Sequence, residues 1–388
     1  MNLRKNLGRV ASTIVATALL ASVATVPAFA AGEPGETEEQ AYTYTAGEKF
    51  TITKNLKVPA NVMTPDATFT FNVDPDDPTE GQTIGGVEVT RGKDNGVAMD
   101  ENGGADFNPG TTAPAGTESR VETGKASFTV NLDAFDTPGI YKYTVSEITT
   151  PNYEGVTYTP ETKDLYVFIE YVTDEDGDYV DSDKDGNTDL KVAYTMLVKA
   201  DQDASTQGNK DDKFENDYGV TTDTLHDLTV TKNITGNAAN LSDTFTFKIT
   251  VTDADVSTEK YVAICGDDTV VMTSGTEQSF TLGNDDSVTI YGLSAGDTYK
   301  IVEDYGTHKN YTTSATVNGS AVTLTGNDDK TTYEDNDGIG NADVAVVYTN
   351  DKSYSTPTGI VMNIAPYALL VVVAVAGCFV FLRKRNED

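Results

Sequence analysis

Phe50-Thr-Ile-Thr-Lys-Asn-Leu56, with its counterpart Leu228-Thr-Val-Thr-Lys-Asn-Ile234, is the stretch that decides the fold. In both copies apolar residues alternate with polar ones, the period-2 pattern of a strand with one buried face. Each copy is followed by Thr-Phe-Thr-Phe, at Thr68–Phe71 and Thr244–Phe247. Later in each unit a Tyr-containing run ends in an acid, Tyr141-Lys-Tyr-Thr-Val-Ser-Glu147 and Tyr299-Lys-Ile-Val-Glu303. Each unit closes on an aromatic two residues before an Asn, Phe214-Glu-Asn216 and Tyr348-Thr-Asn350. Runs rich in Val, Ile, Thr, Tyr and Phe alternate with Asp/Gly/Asn turns, and no stretch away from the termini has a helical period. The repeat predicts an all-β protein of two tandem Ig-like sandwiches, 46–218 and 219–352, joined near Tyr218 to Thr224. The Gly-, Pro- and Asp-rich stretch from Asp74 to Gly124 predicts a long excursion between strands.

Phase places six polar residues on apolar faces. Phe50, Ile52, Lys54, Leu56 and Val58 share one side of a strand, as do Tyr141, Tyr143, Val145 and Glu147, and Phe214 and Asn216. The second unit repeats the placements with Lys232, Glu303 and Asn350. Burying a lone ammonium or carboxylate costs several kcal/mol, so two matching sets need a reason. A buried ion pair hydrogen-bonded to the Asn is one. The other is reaction: desolvation lowers a Lys pKa and raises a Glu pKa, leaving a neutral amine beside a protonated acid. That acid would polarise the Asn carbonyl and later pass a proton to departing ammonia. The product is an amide between two strands, formed once and with no net buried charge.

The termini carry signals of their own. Residues 1–30 show a basic start at Arg4, Lys5 and Arg9, an apolar stretch, and Ala28-Phe29-Ala30 before Ala31, which together predict a signal peptide cleaved between Ala30 and Ala31. Residues 31–45 are acidic and Gly/Pro-containing, a flexible leader. Ile360 to Leu382 is apolar and long enough to cross a bilayer, and Arg383-Lys384-Arg385 follows at once. Just before it stands Ser355-Thr356-Pro357-Thr358-Gly359. A Pro-Thr-Gly abutting an apolar span and a basic stop resembles a sortase cell-wall sorting signal, 353–388. That resemblance implies cleavage between Thr358 and Gly359. Ser355 and Thr356 depart from the common Leu-Pro-x-Thr-Gly form, which points to a dedicated pilin sortase.

Of 27 basic and 61 acidic residues, six and two fall in the terminal signals, so the mature part carries 21 against 59, a net charge of −38. Such a surface repels nucleic acid and anionic lipid. Cys378 lies in the tail, leaving Cys265 alone, so no internal disulfide stabilises the exported part.

The Thr-Lys opening strand, the Tyr-x-Val-Ser-Glu strand, the terminal Phe/Tyr-x-Asn and the Pro-Thr-Gly tail with Ile364-Ala-Pro-Tyr367 together resemble the streptococcal T-antigen-type backbone pilins. Those are built from isopeptide-containing domains of the collagen-adhesin B (CnaB) type. The resemblance implies two bonds, Lys54–Asn216 assisted by Glu147 and Lys232–Asn350 assisted by Glu303. It also implies a polymerising lysine near the end of the first domain: Gly208-Asn209-Lys210 matches the family's Gly-x-Lys, with Lys213 and Lys199 as competitors. The expected role is the repeating subunit of a covalent pilus on a Gram-positive cell surface, exported and finally joined to peptidoglycan. Its partners would be a pilin-class sortase, identical subunits, accessory tip or base pilins and a host receptor. The rival reading is a monomeric wall-anchored adhesin or stalk.

Asp181-Ser-Asp183-Lys-Asp185-Gly186 looks like the opening of a calcium loop, but Val192 stands where a bidentate Glu is needed. An acidic hairpin tip between Tyr166–Tyr171 and Leu190–Tyr194 accounts for it better, and no metal is assigned. His226 and His308, each in a polar setting, lack ligand spacing. No cofactor and no enzymatic action on an external substrate are expected.

Overall fold

A computed structural model describes residues 47–354, except 117, 151, 183–187, 222, 256–257, 309 and 328, together with residue 371. The signal-peptide site at Ala30 and Ala31, the leader to residue 45, Ser355 to Gly359 and the apolar span lie outside the described residues, apart from the one at 371.

Two pairs of packed sheets follow one another along the chain. In the first pair, a five-stranded sheet runs Val97–Met99, Arg120–Val130, Lys49–Val58, Lys213–Tyr218, Val156–Tyr158. A seven-stranded sheet faces it, centred on Thr162–Tyr171, Gly139–Ile148 and Ala67–Pro75. In the second pair, the larger sheet is centred on Ser287–Ser294, Leu225–Thr235 and Val344–Asp351. The smaller is centred on Phe245–Thr252 and Thr298–Asp304. In each pair the opening strand lies parallel to the closing one, with Leu56 opposite Asn216 and Ile234 opposite Asn350. The strand ending in Glu belongs to the facing sheet, where Phe71 opposes Glu147 and Phe247 opposes Glu303.

The alternation seen in the sequence is the alternation of burial. Phe50, Ile52, Leu56 and Val58 are buried while Lys49 and Thr51 are exposed, and each such apolar side chain stabilises the sandwich by about 1.5–3 kcal/mol. Phe71 meets Phe214 edge-on at 5.0 Å, and Phe247 meets Tyr348 at 5.3 Å. The strands that flank the acidic stretch pair antiparallel, Thr162–Tyr171 with Leu190–Lys199. The excursion from Asp74 to Gly124 is less free than expected. Its Gly and Pro residues cut it into the short strands Thr83–Ile84, Val87–Arg91, Val97–Met99 and Ala105–Phe107, which extend both sheets. His226 is buried, with its Nδ1 3.9 Å from Asp223 Oδ1. Cys265 is a free, half-buried side chain packed against the second core.

The two pairs of sheets meet in a built junction. Leu225 packs against the first core, and Val62 sits over Gly292, whose φ of +84° and lack of Cβ allow that approach. Glu259 Oε2 accepts the Asp66 N–H at 3.1 Å, Glu154 Oε1 accepts the Gly296 N–H at 2.7 Å, and Lys260 Nζ donates to the Gly110 carbonyl at 2.8 Å. Burial pushes the Glu259 carboxyl up to about 7, and burial also raises Asp297, which accepts from the Tyr261 hydroxyl.

Candidate functional site

Because opening and closing strands are parallel neighbours, Lys54 and Asn216 come from adjacent strands of one sheet, and Glu147 reaches them across the core. Lys54 is wholly buried and Asn216 is 1% exposed. Lys54 Nζ lies 2.9 Å from each Glu147 oxygen, and Asn216 Nδ2 donates to Glu147 Oε1 at 3.0 Å. The Phe69 ring lies 5.0 Å from the amine. Burial depresses the Lys54 pKa despite the opposing pull of Glu147, and burial lifts Glu147 despite Lys54. Both partners shift toward neutrality.

The second set repeats the first in a drier setting. Lys232, Glu303 and Asn350 are all fully buried. Lys232 Nζ stands 3.1 Å from Glu303 Oε1, yet is not aligned to donate to it, and Glu303 Oε2 has no hydrogen-bond partner. Asn350 Nδ2 donates to Glu303 Oε1 at 2.8 Å, and Phe245 covers the amine with its ring 4.7 Å away. Burial lowers Lys232 to about 8 and raises Glu303.

One detail differs from the sequence-based expectation. Glu was expected to polarise the Asn carbonyl, but in both sets it faces the amide nitrogen. The carbonyls meet other donors. Asn216 Oδ1 accepts the Thr159 N–H at 3.2 Å, and Asn350 Oδ1 accepts the Thr313 hydroxyl at 2.6 Å. In both sets Glu Oε1 is the acceptor, so the amide NH₂ turns to it and the carbonyl turns away. Glu is thereby placed beside the nitrogen that would leave as ammonia. Thr159 and Thr313 had no signature in the sequence.

The three candidate linking lysines differ. Lys210 follows a short 3-10 turn, is 8% exposed, and donates to Gln207 Oε1 at 3.2 Å. Burial lowers its pKa. Lys213 and Lys199 are exposed. The structure also holds a buried lysine that the sequence reading passed over. Lys163, fully buried, pairs with Glu161 at 2.6 Å and Asp211 at 2.8 Å. Asp183 and Asp185 lie outside the described residues, and among those described no acidic group is arranged to hold a metal.

Residues 50–219 match the model of the Spy0128-like isopeptide containing domain, and residues 226–352 match a domain of unknown function. A curated relative from Streptococcus pyogenes serotype M1, described as a pilin, is 27% identical over 362 residues, covering 89% of this chain and 93% of that protein. The solved major pilin T3.2 of Streptococcus pyogenes serotype GAS13637 aligns with a TM-score of 0.53 at 21% identity, over 80% of this chain and 99% of that one. A second Streptococcus pyogenes major pilin aligns at 0.50 and 22%, over 79% and 99%. These structural likenesses establish the shared fold.

Proposed function

We propose that this chain, akin to the streptococcal major pilins over nearly its whole length, is the repeating subunit of a covalently linked cell-surface pilus, built from domains 46–218 and 219–352. The observation that carries this is the Lys–Glu–Asn trio buried twice, each time with Lys and Asn on the first and last strands of a domain and Glu on the facing sheet. In each, the neutral amine attacks the Asn Cγ. Glu147 or Glu303 takes the amine proton and passes it to Nδ2, the Cγ–Nδ2 bond breaks, and ammonia leaves. The Lys54–Asn216 and Lys232–Asn350 amides replace groups that are costly to keep charged in a dry core. This is self-modification, with no turnover on an external substrate.

Between subunits, the Thr358 carbonyl is held as an acyl group by a pilin sortase after cleavage before Gly359. The Lys210 amine of another copy attacks it, and the last subunit is passed to peptidoglycan. Lys210 matches the Gly-x-Lys pattern, and burial lowers its pKa, which enlarges its own free-amine fraction.

Intact-mass measurement of the purified ectodomain tests the first half: two ammonias, about 34 Da, should be missing. A mass equal to the unmodified chain would refute it. Immunoblotting of wall extract boiled in SDS tests the second. A high-mass ladder supports the polymer, and a single band supports a monomeric wall-anchored stalk.

A further inference from the structure

In the second domain the strand Thr312–Val317 pairs antiparallel with Val344–Asp351, which sets Thr313 directly opposite Asn350. That register brings the Thr313 hydroxyl 2.6 Å from Asn350 Oδ1. Behind it, the buried Tyr305 donates its hydroxyl to Thr313 Oγ1 at 2.8 Å. The hydrogens therefore run one way: Tyr305 to Thr313, Thr313 to the amide oxygen. On the other side of the same amide, Glu303 Oε1 accepts from Nδ2, while Glu303 Oε2 is buried with no hydrogen-bond partner.

We propose that Thr313 is a catalytic residue for the Lys232–Asn350 bond, its hydroxyl stabilising the charge that gathers on Asn350 Oδ1, with Tyr305 as the positioning residue that orients it. This rests on the bond-forming reading above. When Lys232 Nζ bonds to Cγ, the carbonyl π pair moves onto Oδ1, where the Thr313 O–H already points. Glu303 accepts the amine proton and delivers it to Nδ2. As the carbonyl reforms, the Cγ–Nδ2 bond breaks and ammonia departs. The labour is divided between two sides of one amide: Glu303 handles protons at nitrogen, and Thr313 holds charge at oxygen. Preorganised donors of this kind are worth far more in a dry site than in water. In the first domain the same place is filled by the Thr159 backbone N–H at 3.2 Å.

The test uses the whole ectodomain, expressed cold and then incubated at 37 °C, with intact mass and tryptic mapping followed over time. Thr313→Val removes the hydroxyl at nearly constant shape. Its second ammonia should be lost 10²–10³-fold more slowly than in the parent, the range for removing one such donor. Thr313→Ser should restore the rate, and Tyr305→Phe should slow it less than Thr313→Val. The Lys54–Asn216 bond in the same molecule reports folding and should form normally in every variant. Loss of the second ammonia from Thr313→Val as fast as from the parent overturns the proposal. So does slowing of both bonds together, which marks a folding defect. A parent that never loses the second ammonia refutes the bond-forming reading itself.

Discussion

Replacing Lys232 by Met and Glu303 by Ala separates two effects that the second trio combines. Either change prevents the Lys232–Asn350 amide. The proposed amide would tie together residues about 120 positions apart, and a chain-entropy treatment of such a loop assigns about 5 kcal/mol to the tie. Lys232→Met removes the tie and the amine together, leaving an apolar side chain beside Phe245, so its loss should be about that amount. Glu303→Ala removes the tie but leaves the Lys232 amine in a fully buried site without its partner, and an unsatisfied buried polar group adds about 1–3 kcal/mol. For a domain of this size, the first loss lowers the melting temperature by roughly 20 °C and the second by more. Calorimetry of both ectodomain variants, each checked by mass for one retained ammonia, measures the order. If Glu303→Ala melts at or above Lys232→Met, the unpaired amine is not the burden this structure makes it. If both melt with the parent, the tie contributes nothing.

Three further outcomes are expected. Substituting Lys210→Arg should abolish the high-mass ladder in wall extracts while leaving both internal bonds intact by mass; a surviving ladder would transfer the role to Lys213 or Lys199. Pulling a single subunit between Lys210 and Thr358 should give long extensions with Glu303→Ala that the parent lacks, and matching traces would place the load elsewhere. The junction should loosen as pH rises. The folded pKa of Glu259, about 7, lies above its ordinary value of 4.5, so the folded state holds the proton more tightly than the unfolded chain. The resulting stability is complete below pH 4.5 and is lost as pH climbs through about 7, by at most about 3 kcal/mol. Thermal melts from pH 5 to 9 should flatten in Glu259→Gln, and an unchanged slope would remove Glu259 from the account.

The trios were legible because a strand has period 2. Lys54 and Lys232 each stand in step with four or three apolar neighbours, and burial followed that step. Lys163 is in step with Leu165, Val167 and Ile169, but the signal was hidden. Its strand is covered on both faces, with Tyr166 and Phe168 packing into a separate small cluster, so alternation vanishes and a buried cation no longer stands out. Thr313 was illegible for another reason. One threonine in a threonine-rich chain acquires meaning only from the cross-strand register that sets it opposite Asn350. The carboxylates of Glu259 and Asp297 depend on the meeting of two domains, which no local pattern encodes.

The parallel pairing of first and last strands has a consequence for damage. With Lys232 joined to Asn350, an unbroken covalent thread passes from Lys210 along the chain to Lys232, crosses to Asn350, and continues to Thr358. A backbone cut anywhere in 233–349 would leave that thread whole. A fibre of such subunits could be nicked in most of its second domains by enzymes of its surroundings and still hold together end to end.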